Sequence, residues 1–388
     1  MKIPFKYNLR SMWARRVGTL MTAAGVGLTV AIVIVMMAMV VGLTSAFVDS
    51  GHDNQLIVVR KGSLNEVNSY FGRDLYQTVR YLPGIDRDEE DQPLASPEII
   101  VVINWPRASG EDTNVTMRGI GEKGFELRPE MKIVGGRRFE PGVREIIASR
   151  SISERFHGFQ LGQQVQINDA PWKVVGIFDA GGTAYDSEIM SSYSDIAQEW
   201  ERPIYSSILL RVDDPDDRQA IIKRIEDDEN IQLQAVPQDE YFADQTSSAG
   251  PVVVLGTFVA VLMGVGACFA AMNMMYATIM SRVKEVATLR ALGFKRRSIL
   301  SSFLLESIVL TLLAGIVGGL MALPMNGITT GTANMGPNGS FAEVIFQFRI
   351  SPPVLLAGLI FSLGVGIVGG FLPALRAARV RLVDALRD

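Results

Sequence analysis

At 388 residues, with 48% hydrophobic residues and a mean hydropathy of +0.22, the chain is long enough for several domains and too apolar for an ordinary soluble protein. Its formal net charge of −4 is unevenly distributed, because residues 49–250 hold 21 basic and 36 acidic residues, and this acidic segment argues against nucleic acid as a partner. The single cysteine, Cys268, excludes a disulfide within one chain.

The N-terminal segment, residues 1–16, is basic and amphipathic. A helical projection places its apolar residues on one face, and they are Phe5, Leu9, Met12 and Trp13. This pattern predicts a cytoplasmic interfacial helix lying on the inner leaflet of a membrane. The alternative that the pattern leaves open is a frayed, positively charged start of the first membrane span.

Four apolar stretches are long enough to cross a bilayer. They are residues 17–48, 251–280, 299–325 and 353–375. The first has no charged residue and is longer than the roughly 7–15-residue apolar region of a signal peptide, so we interpret it as an uncleaved anchor. Lysine and arginine are concentrated before the first stretch, in residues 281–298 and in the tail, residues 376–388, which predicts that both termini are cytoplasmic.

Residues 49–250, between the first two spans, are predicted to form one extracytoplasmic domain. A strand–helix–strand pattern occurs twice, at 55–59, 74–81 and 99–104 and again at 207–212, 215–228 and 231–236. Short strands separated by glycine and aspartate turns fill residues 120–205. The predicted fold is therefore a four-span α-helical membrane protein with an α+β domain of two βαβ-type halves, similar to the split ferredoxin-like arrangement, and a mostly β insertion.

A charged segment, residues 281–298, separates the second and third spans. Its apolar residues recur at near-helical spacing, and they are Val283, Val286, Leu289 and Leu292. Gly293 follows where a helix C-cap needs a positive φ, so the pattern predicts about three turns of amphipathic helix across the cytoplasmic ends of two spans. An exposed apolar edge would suit a groove of a soluble partner. The alternative interpretation is a solvated basic loop that only fixes the topology.

Small residues recur at every fourth position in two spans. They are Gly256, Ala260, Gly264 and Cys268 in the second span and Gly358, Ser362, Gly366 and Gly370 in the fourth. Small residues at this spacing let helix backbones approach closely in lipid, so both series predict helix-packing faces. Glu306 in the third span needs a partner at that depth, and we expect Arg296 or Arg297 to supply it. Residues 326–352, between the third and fourth spans, are expected to form an extracytoplasmic loop.

The sequence lacks the motifs of common catalytic and cofactor sites. No Gly-x-x-x-x-Gly-Lys-Ser/Thr loop occurs, so we do not expect the chain to bind ATP in the P-loop manner. The two histidines, His52 and His157, are far apart and lack a neighbouring cluster of cysteines or acids at ligand spacing. We therefore expect no metal, no cofactor and no enzyme active site.

Several stretches resemble the MacB/FtsX-like permeases, the type VII ABC transporters. In the membrane half, the stretches that carry the resemblance are residues 285–293, 296–300, 304–307, 373–379 and 383–387. In the large domain, residues 136–139 and 174–178 are similar to the MacB-type periplasmic core domain. That core combines an α+β part with a β insertion, as the strand pattern above also predicts.

The resemblance implies a homodimer of four-span subunits in the bacterial cytoplasmic (inner) membrane, paired with a dimer of a separate cytoplasmic ABC ATPase. ATP would be hydrolysed in that partner and not by this chain. The residues that match the family's coupling helix, and would press into the ATPase, are Val283, Glu285, Val286, Leu289, Arg290, Leu292 and Gly293. Closure of the ATPase would then move the extracytoplasmic domain, which is called mechanotransmission.

Three hypotheses for the function follow. The first is the permease subunit of an ATP-driven efflux or export system that works with a periplasmic adaptor, or a lipoprotein-releasing relative of it. The second is a non-transporting regulator that relays the ATPase movement to an extracytoplasmic partner such as a cell-wall hydrolase. The third is an ATP-independent membrane sensor, in which residues 281–298 would only fix the topology.

Overall fold

The computed structural model describes residues 16–107, 110, 112–228, 231–247, 250–332 and 343–379. The expected interfacial helix and the end of the C-terminal tail lie outside the described residues. The chain divides into two compact units. We call one the helical unit (up to Val41, Gly250–Ile328 and from Phe348 onward) and the other the α/β unit (Gly42–Ala249 and Thr329–Gln347).

The α-helices of the described residues are, in chain order, α1 (Arg16–Val48), α2 (Arg73–Arg80), α3 (Arg150–Arg155), α4 (Tyr193–Glu199), α5 (Arg218–Glu226), α6 (Gln238–Ser247), α7 (Gly250–Met280), α8 (Val283–Ala291), α9 (Arg296–Ala322) and α10 (Pro352–Ala378). The strands are β1 (Gln55–Arg60), β2 (Phe71–Gly72), β3 (Ala95–Pro106), β4 (Asp112–Ile120), β5 (Lys132–Gly136), β6 (Glu145–Ser149), β7 (Gln164–Ile167), β8 (Ala170–Asp179), β9 (Glu188–Ser192), β10 (Ile204–Tyr205), β11 (Ser207–Arg211), β12 (Leu233–Pro237), β13 (Thr329–Gly331) and β14 (Ile345–Gln347).

The helical unit is built from α1, α7, α9 and α10. Each provides a stretch long and apolar enough to cross a membrane, with mean hydropathies from 2.2 to 2.8, and the third stretch includes the short turn Leu323–Met325 after α9. The four stretches are Ala23–Val48, Val253–Met280, Arg296–Met325 and Pro352–Ala378. The sequence-based prediction of four such helices is therefore confirmed. The side chains that pack between them include Val30 and Ile34 of α1, Ala271 of α7, Ala314 of α9 and Val365 of α10.

The α/β unit is organised by one mixed sheet. Within the described residues its strand order is β12-β1-β11-β3-β4-β9-β6-β8-β5, with β7 paired to β8. The first four strands pair antiparallel and are joined by the units β1-α2-β3 and β11-α5-β12. This is the ferredoxin-like order of two βαβ-type halves. Adjacent residues of β1 point to opposite faces, Leu56 and Val58 into one core cluster and Ile57 and Val59 into the other, so the sheet is covered on both sides.

The β-rich insertion continues the same sheet and does not form a separate layer. Strand β3 is twelve residues long, and residues 95–98 pair with β11 while residues 99–106 pair with β4. Beyond β4 the sheet becomes mixed, because β4 pairs with β9 in parallel and β6 with β8 in parallel. One long strand therefore joins the two halves of the unit.

A network of buried charges lies where these halves meet. Every guanidinium nitrogen of Arg118 donates to a carboxylate, at distances of 2.6–3.1 Å. The acceptors are Glu66, Glu98 and Glu188, and Glu98 also accepts from Arg128 at 2.9 Å. Burial raises the pKa of Glu188, whereas Arg128 and Arg118 outweigh burial and lower the pKa of Glu98.

The segment between α9 and α10 belongs to the α/β unit. The sequence predicted an extracytoplasmic loop at 326–352. Within the described residues β13 pairs antiparallel with β14, and Ile345 is 2% exposed within the core of this unit. Three-residue strands are too short for an alternating pattern to be visible in a sequence rich in glycine, asparagine and threonine.

Candidate functional site

Helix α8 is attached to the helical unit by its inner face. Val286 and Ala287 are each 2% exposed. Val286 packs in a cluster with residues from the ends of three long helices, and they are Met275 and Ile279 of α7, Ile299 and Phe303 of α9, and Ala374, Ala377 and Ala378 of α10. A movement imposed on α8 would therefore displace α7, α9 and α10, because close-packed contacts transmit displacement.

The outer face of α8 is mixed in character. Leu292, just after the helix, is 68% exposed, and Glu285 is also exposed. Val283, Leu289 and Arg290 are half-buried. The prediction of one exposed apolar edge is wrong for Val286, since positions three residues apart shift by about 60° around a helix and the four apolar positions span about half its circumference.

The end of α8 has the predicted cap. Gly293 adopts φ +93°, and its N–H donates to the carbonyl of Arg290 at 3.1 Å. The N–H of Phe294 donates to the carbonyl of Leu289 at 3.1 Å. A side chain would be strained at this φ, so glycine permits the sharp turn from α8 into α9.

An ion pair fixes the beginning of α8. Nη1 of Arg282 lies 3.2 Å from Oε2 of Glu306, and both side chains are 7% exposed. Arg282 Nε also lies 3.9 Å from Glu285 Oε2. The expectation that Arg296 or Arg297 would pair with Glu306 is wrong, and both arginines are exposed. Arg297 lies in the first turn of α9, the helix that contains Glu306, and the two residues are about 14 Å apart along its axis at 1.5 Å per residue. The turn after α7 instead brings Arg282 beside the acid.

The small residues of α7 face other helices of this unit. A Cβ at Gly256 would approach Met36 of α1 to 3.3 Å, and a Cβ at Gly264 would approach Phe361 of α10 to 3.0 Å. Ala260 and Cys268 are half-buried. The series thus lies along the side of α7 that meets α1 and α10.

The small residues of α10 face α1 and α9. A Cβ at Gly358 would come within 2.5 Å of Ile34, and a Cβ at Gly370 within 2.5 Å of Ser307. A Cβ at Gly366 would overlap Thr311, and the Gly366 carbonyl accepts from Ser307 Oγ at 2.8 Å. Ser362 is fully buried. Gly366 and Gly370 thus leave no room for a larger residue where α10 touches α9, and Gly358 leaves none where α10 touches α1.

Within the described ranges, no group of three or more histidine, cysteine, aspartate or glutamate side chains could hold a metal ion. The residue that sequence reasoning missed is Arg282. A signal for it existed, because it is the first basic residue after an uncharged apolar run and the third span contains an acid that requires a partner.

Two family models match the chain. One, described as MacB-like periplasmic core domain, matches residues 19–228, and the other, described as FtsX-like permease C-terminal, matches residues 257–382. Together they cover parts of both units and the segment that contains α8.

Curated relatives agree with these models. The uncharacterized ABC transporter permease YknZ of Bacillus subtilis is 28% identical over 294 residues, covering 71% of this chain and 71% of that protein. The macrolide export ATP-binding/permease protein MacB of Neisseria meningitidis is 24% identical over 304 residues, covering 71% of this chain and 44% of that protein. The chain thus matches less than half the length of that relative.

Two solved structures are similar to parts of the chain. The extracellular domain of the ABC-type transporter YknZ from Gram-positive bacteria is 18% identical with a TM-score of 0.37, covering 47% of this chain and 100% of that one. The periplasmic region of MacB from Actinobacillus actinomycetemcomitans is 15% identical with a TM-score of 0.39, covering 52% of this chain and 95% of that one.

Proposed function

The chain belongs to the MacB/FtsX-like family of ABC transporter permeases, and from this premise we propose that it couples a separate cytoplasmic ATPase to movements of its α/β unit. Helix α8 is the coupling element. The observation that carries this proposal is the two-sided character of α8, which buries Val286 among the ends of three long helices and exposes Leu292 and Glu285.

The proposed coupling residues have separate tasks. Leu292 and Glu285 would contact the ATPase, because they are exposed. Val283, Leu289 and Arg290 would line the edge of the contact, since they are half-buried. Val286 would transmit the movement inward, and Gly293 would keep the turn into α9 sharp. When the ATPase dimer binds ATP and closes, it would tilt the long helices of the helical unit without opening a channel between them.

We propose that the protein lies in the bacterial inner membrane with both termini in the cytoplasm. The distribution of lysine and arginine supports this orientation, which places the α/β unit outside the cytoplasm. A homodimer fits the same proposal. A second copy would cover part of α7, whose exposed side chains include Phe258, Leu262 and Phe269.

We propose export as the task, with a periplasmic adaptor bound to the α/β unit. The support is the similarity to the macrolide export ATP-binding/permease protein MacB. A regulator of an extracytoplasmic enzyme would use the same coupling. The two differ in the third protein that purifies with the complex, which is an adaptor in one case and a cell-wall hydrolase in the other.

Co-purification tests the proposal. Tagged wild-type and Leu292→Arg chains would be purified in mild detergent from the native host, with Ser281→Arg as the matched control because it adds the same charge at an exposed position before α8. We expect a stoichiometric P-loop ATPase with the wild type and with Ser281→Arg, and its loss with Leu292→Arg. Absence of an ATPase from the wild type, even with ADP and vanadate, would refute the coupling role.

A further inference from the structure

The α/β unit contains a second piece of chain far from the first in sequence. This piece, Thr329–Gln347, leaves the helical unit after α9 and returns to it before α10. The chain therefore passes between the two units four times, and two of the passages belong to this piece. Ile345 and Phe346 are 2% and 4% exposed, so the returning strand β14 is anchored by buried apolar side chains.

Glu343 precedes β14 and is clasped by two arginines. Its Oε2 lies 2.8 Å from Arg107 Nη2, and its Oε1 lies 2.5 Å from Arg155 Nη2. The glutamate side chain is 2% exposed, against 22% and 24% for the arginines. A buried carboxylate with two charged donors is strongly held, because moving it would leave a desolvated charge without its partners.

The backbone around this clasp is also fixed. The N–H of Glu343 donates to the carbonyl of Asn114 in β4 at 2.8 Å, and the N–H of Ile345 donates to Ser187 Oγ at 2.7 Å. Gly331 in β13 leaves the space that the carboxylate fills, since a Cβ there would overlap Glu343 Oε1 and lie 2.9 Å from Arg155 Nη2. Glu343 and Ile345 thus join the segment to four places in the β-rich half: Arg107 just after β3, strand β4, helix α3 and Ser187 just before β9.

We propose that Glu343 is a positioning residue that fastens the segment between α9 and α10 to the β-rich half of the α/β unit. Movement of these two helices then reaches the unit through the segment, in addition to the passages at α1 and α7. An unfastened segment rich in glycine and asparagine would absorb such movement by changing its own backbone angles. The inference rests on the proposed function, which supplies the movement.

The clasp itself is tested on the full chain in nanodiscs without any partner. Hydrogen exchange of residues 343–347 would be measured in wild type, Glu343→Gln and Gly331→Ala, with Glu140→Gln as a control that removes a 70% exposed carboxylate from the same unit. We expect hydrogen exchange of residues 343–347 to accelerate on the order of a hundredfold in Glu343→Gln and in Gly331→Ala, and to stay unchanged in Glu140→Gln. Unchanged exchange in Glu343→Gln would overturn the clasp.

The transmission role is tested with the co-purified ATPase and with Mg²⁺, ATP and vanadate. We expect nucleotide to change exchange in the β-rich half of the wild type, the change to fall at least about fivefold in Glu343→Gln, and the double variant Glu343→Arg, Arg155→Glu to recover part of it because the pair of charges is restored in reverse. Recovery would support an ionic clasp over a merely structural effect of the substitution.

The outcomes separate the two proposals. An undiminished nucleotide response in Glu343→Gln, with residues 343–347 already loosened, would overturn transmission through the segment and leave the coupling function intact. No nucleotide response in the wild type would overturn the coupling function, and the transmission role with it, whereas the exchange measured without a partner would still decide whether the clasp exists.

Discussion

Arg282 Nη1 and Glu306 Oε2 lie 3.2 Å apart, and both side chains are almost completely buried within the helical unit. The pair connects the residue before α8 to the middle of α9. Since a buried ion pair is costly to separate, α8 is held to α9 at its beginning by charge and at its end by the turn at Gly293. We infer that α8 and α9 move together.

This relationship predicts how α8 responds to loss of the arginine. In Arg282→Met, Glu306 keeps its burial and loses this cation, so the start of α8 should loosen by about 3–5 kcal/mol. Hydrogen exchange of residues 283–293 should therefore accelerate in Arg282→Met and partly recover in the double variant Arg282→Glu, Glu306→Arg. The control Arg297→Met removes an exposed arginine. Equal exchange in Arg282→Met and wild type would show that the pair does not hold α8.

The packing of α9 against α10 predicts a large difference between two glycines of one helix. A Cβ at Gly366 would overlap Thr311 and lie 3.1 Å from the backbone of Ile308, whereas Gly364 has nothing within 4 Å. We expect Gly366→Ala to lower the free energy of unfolding by about 1–3 kcal/mol and Gly364→Ala to leave it nearly unchanged. Thermal unfolding of the full chain in detergent measures both. Similar melting temperatures for the two variants would mean that the helices are not closely packed at Gly366.

The buried network around Arg118 predicts a severe effect in the α/β unit. Replacing Arg118 with Met would leave Glu66 and Glu188 without their guanidinium donor, so we expect a loss of about 3–5 kcal/mol. The matched control is Arg150→Met, since the Arg150–Asp179 pair is 53% and 34% exposed and should be worth about 0–1 kcal/mol. Unfolding followed by tryptophan fluorescence compares the two. An equally small loss in both variants would rule out a stabilising role for the network.

A pH dependence follows from Arg137 and Glu145. Hydrogen bonds from Arg137 at 2.6 and 2.7 Å lower the pKa of Glu145 below its usual range. A lowered folded-state pKa stabilises the protein above the unfolded pKa of about 4.3, and this contribution disappears as the pH falls through the folded-state value. We expect Glu145→Gln to melt below wild type at pH 7, with the difference narrowing below about pH 4.3.

The control for the pH series is Glu154→Gln, which removes an exposed carboxylate from the nearby helix α3. Melting temperatures would be measured from pH 7 downwards for all three proteins. A difference between wild type and Glu145→Gln that stayed constant, or widened, as the pH fell would contradict the assignment of the stabilising interaction to the ionised Glu145.

Much of the fold follows from local patterns. The four long helices contain long apolar runs with few charged residues, and β1 and β6 are short apolar runs bounded by turn residues, so their existence is visible without tertiary information. Strand β4 was missed because Asn114 and Arg118 interrupt its apolar alternation. Arg118 is 4% exposed only because three carboxylates from other elements converge on it.

The functional residues were less predictable from the sequence, because their roles also depend on contacts with residues from other elements. The spacing of apolar residues and the position of Gly293 predicted helix α8 and its cap, yet which of those residues face outward depends on the ends of three other helices. The partner of Glu306 and the clasp of Glu343 join residues distant in sequence. Charge alone does not determine such pairs, since several arginines are available in each unit.

We propose that Leu292, exposed at the end of α8, touches an ATPase. A photoreactive amino acid placed at Leu292 in the native host would be cross-linked in intact cells, and the product would be identified by mass spectrometry, with Tyr81 of the α/β unit as the control position because it is 54% exposed. We expect a P-loop ATPase joined to position 292 and not to position 81. Products from position 292 that contain only lipid or another copy of this chain would contradict it.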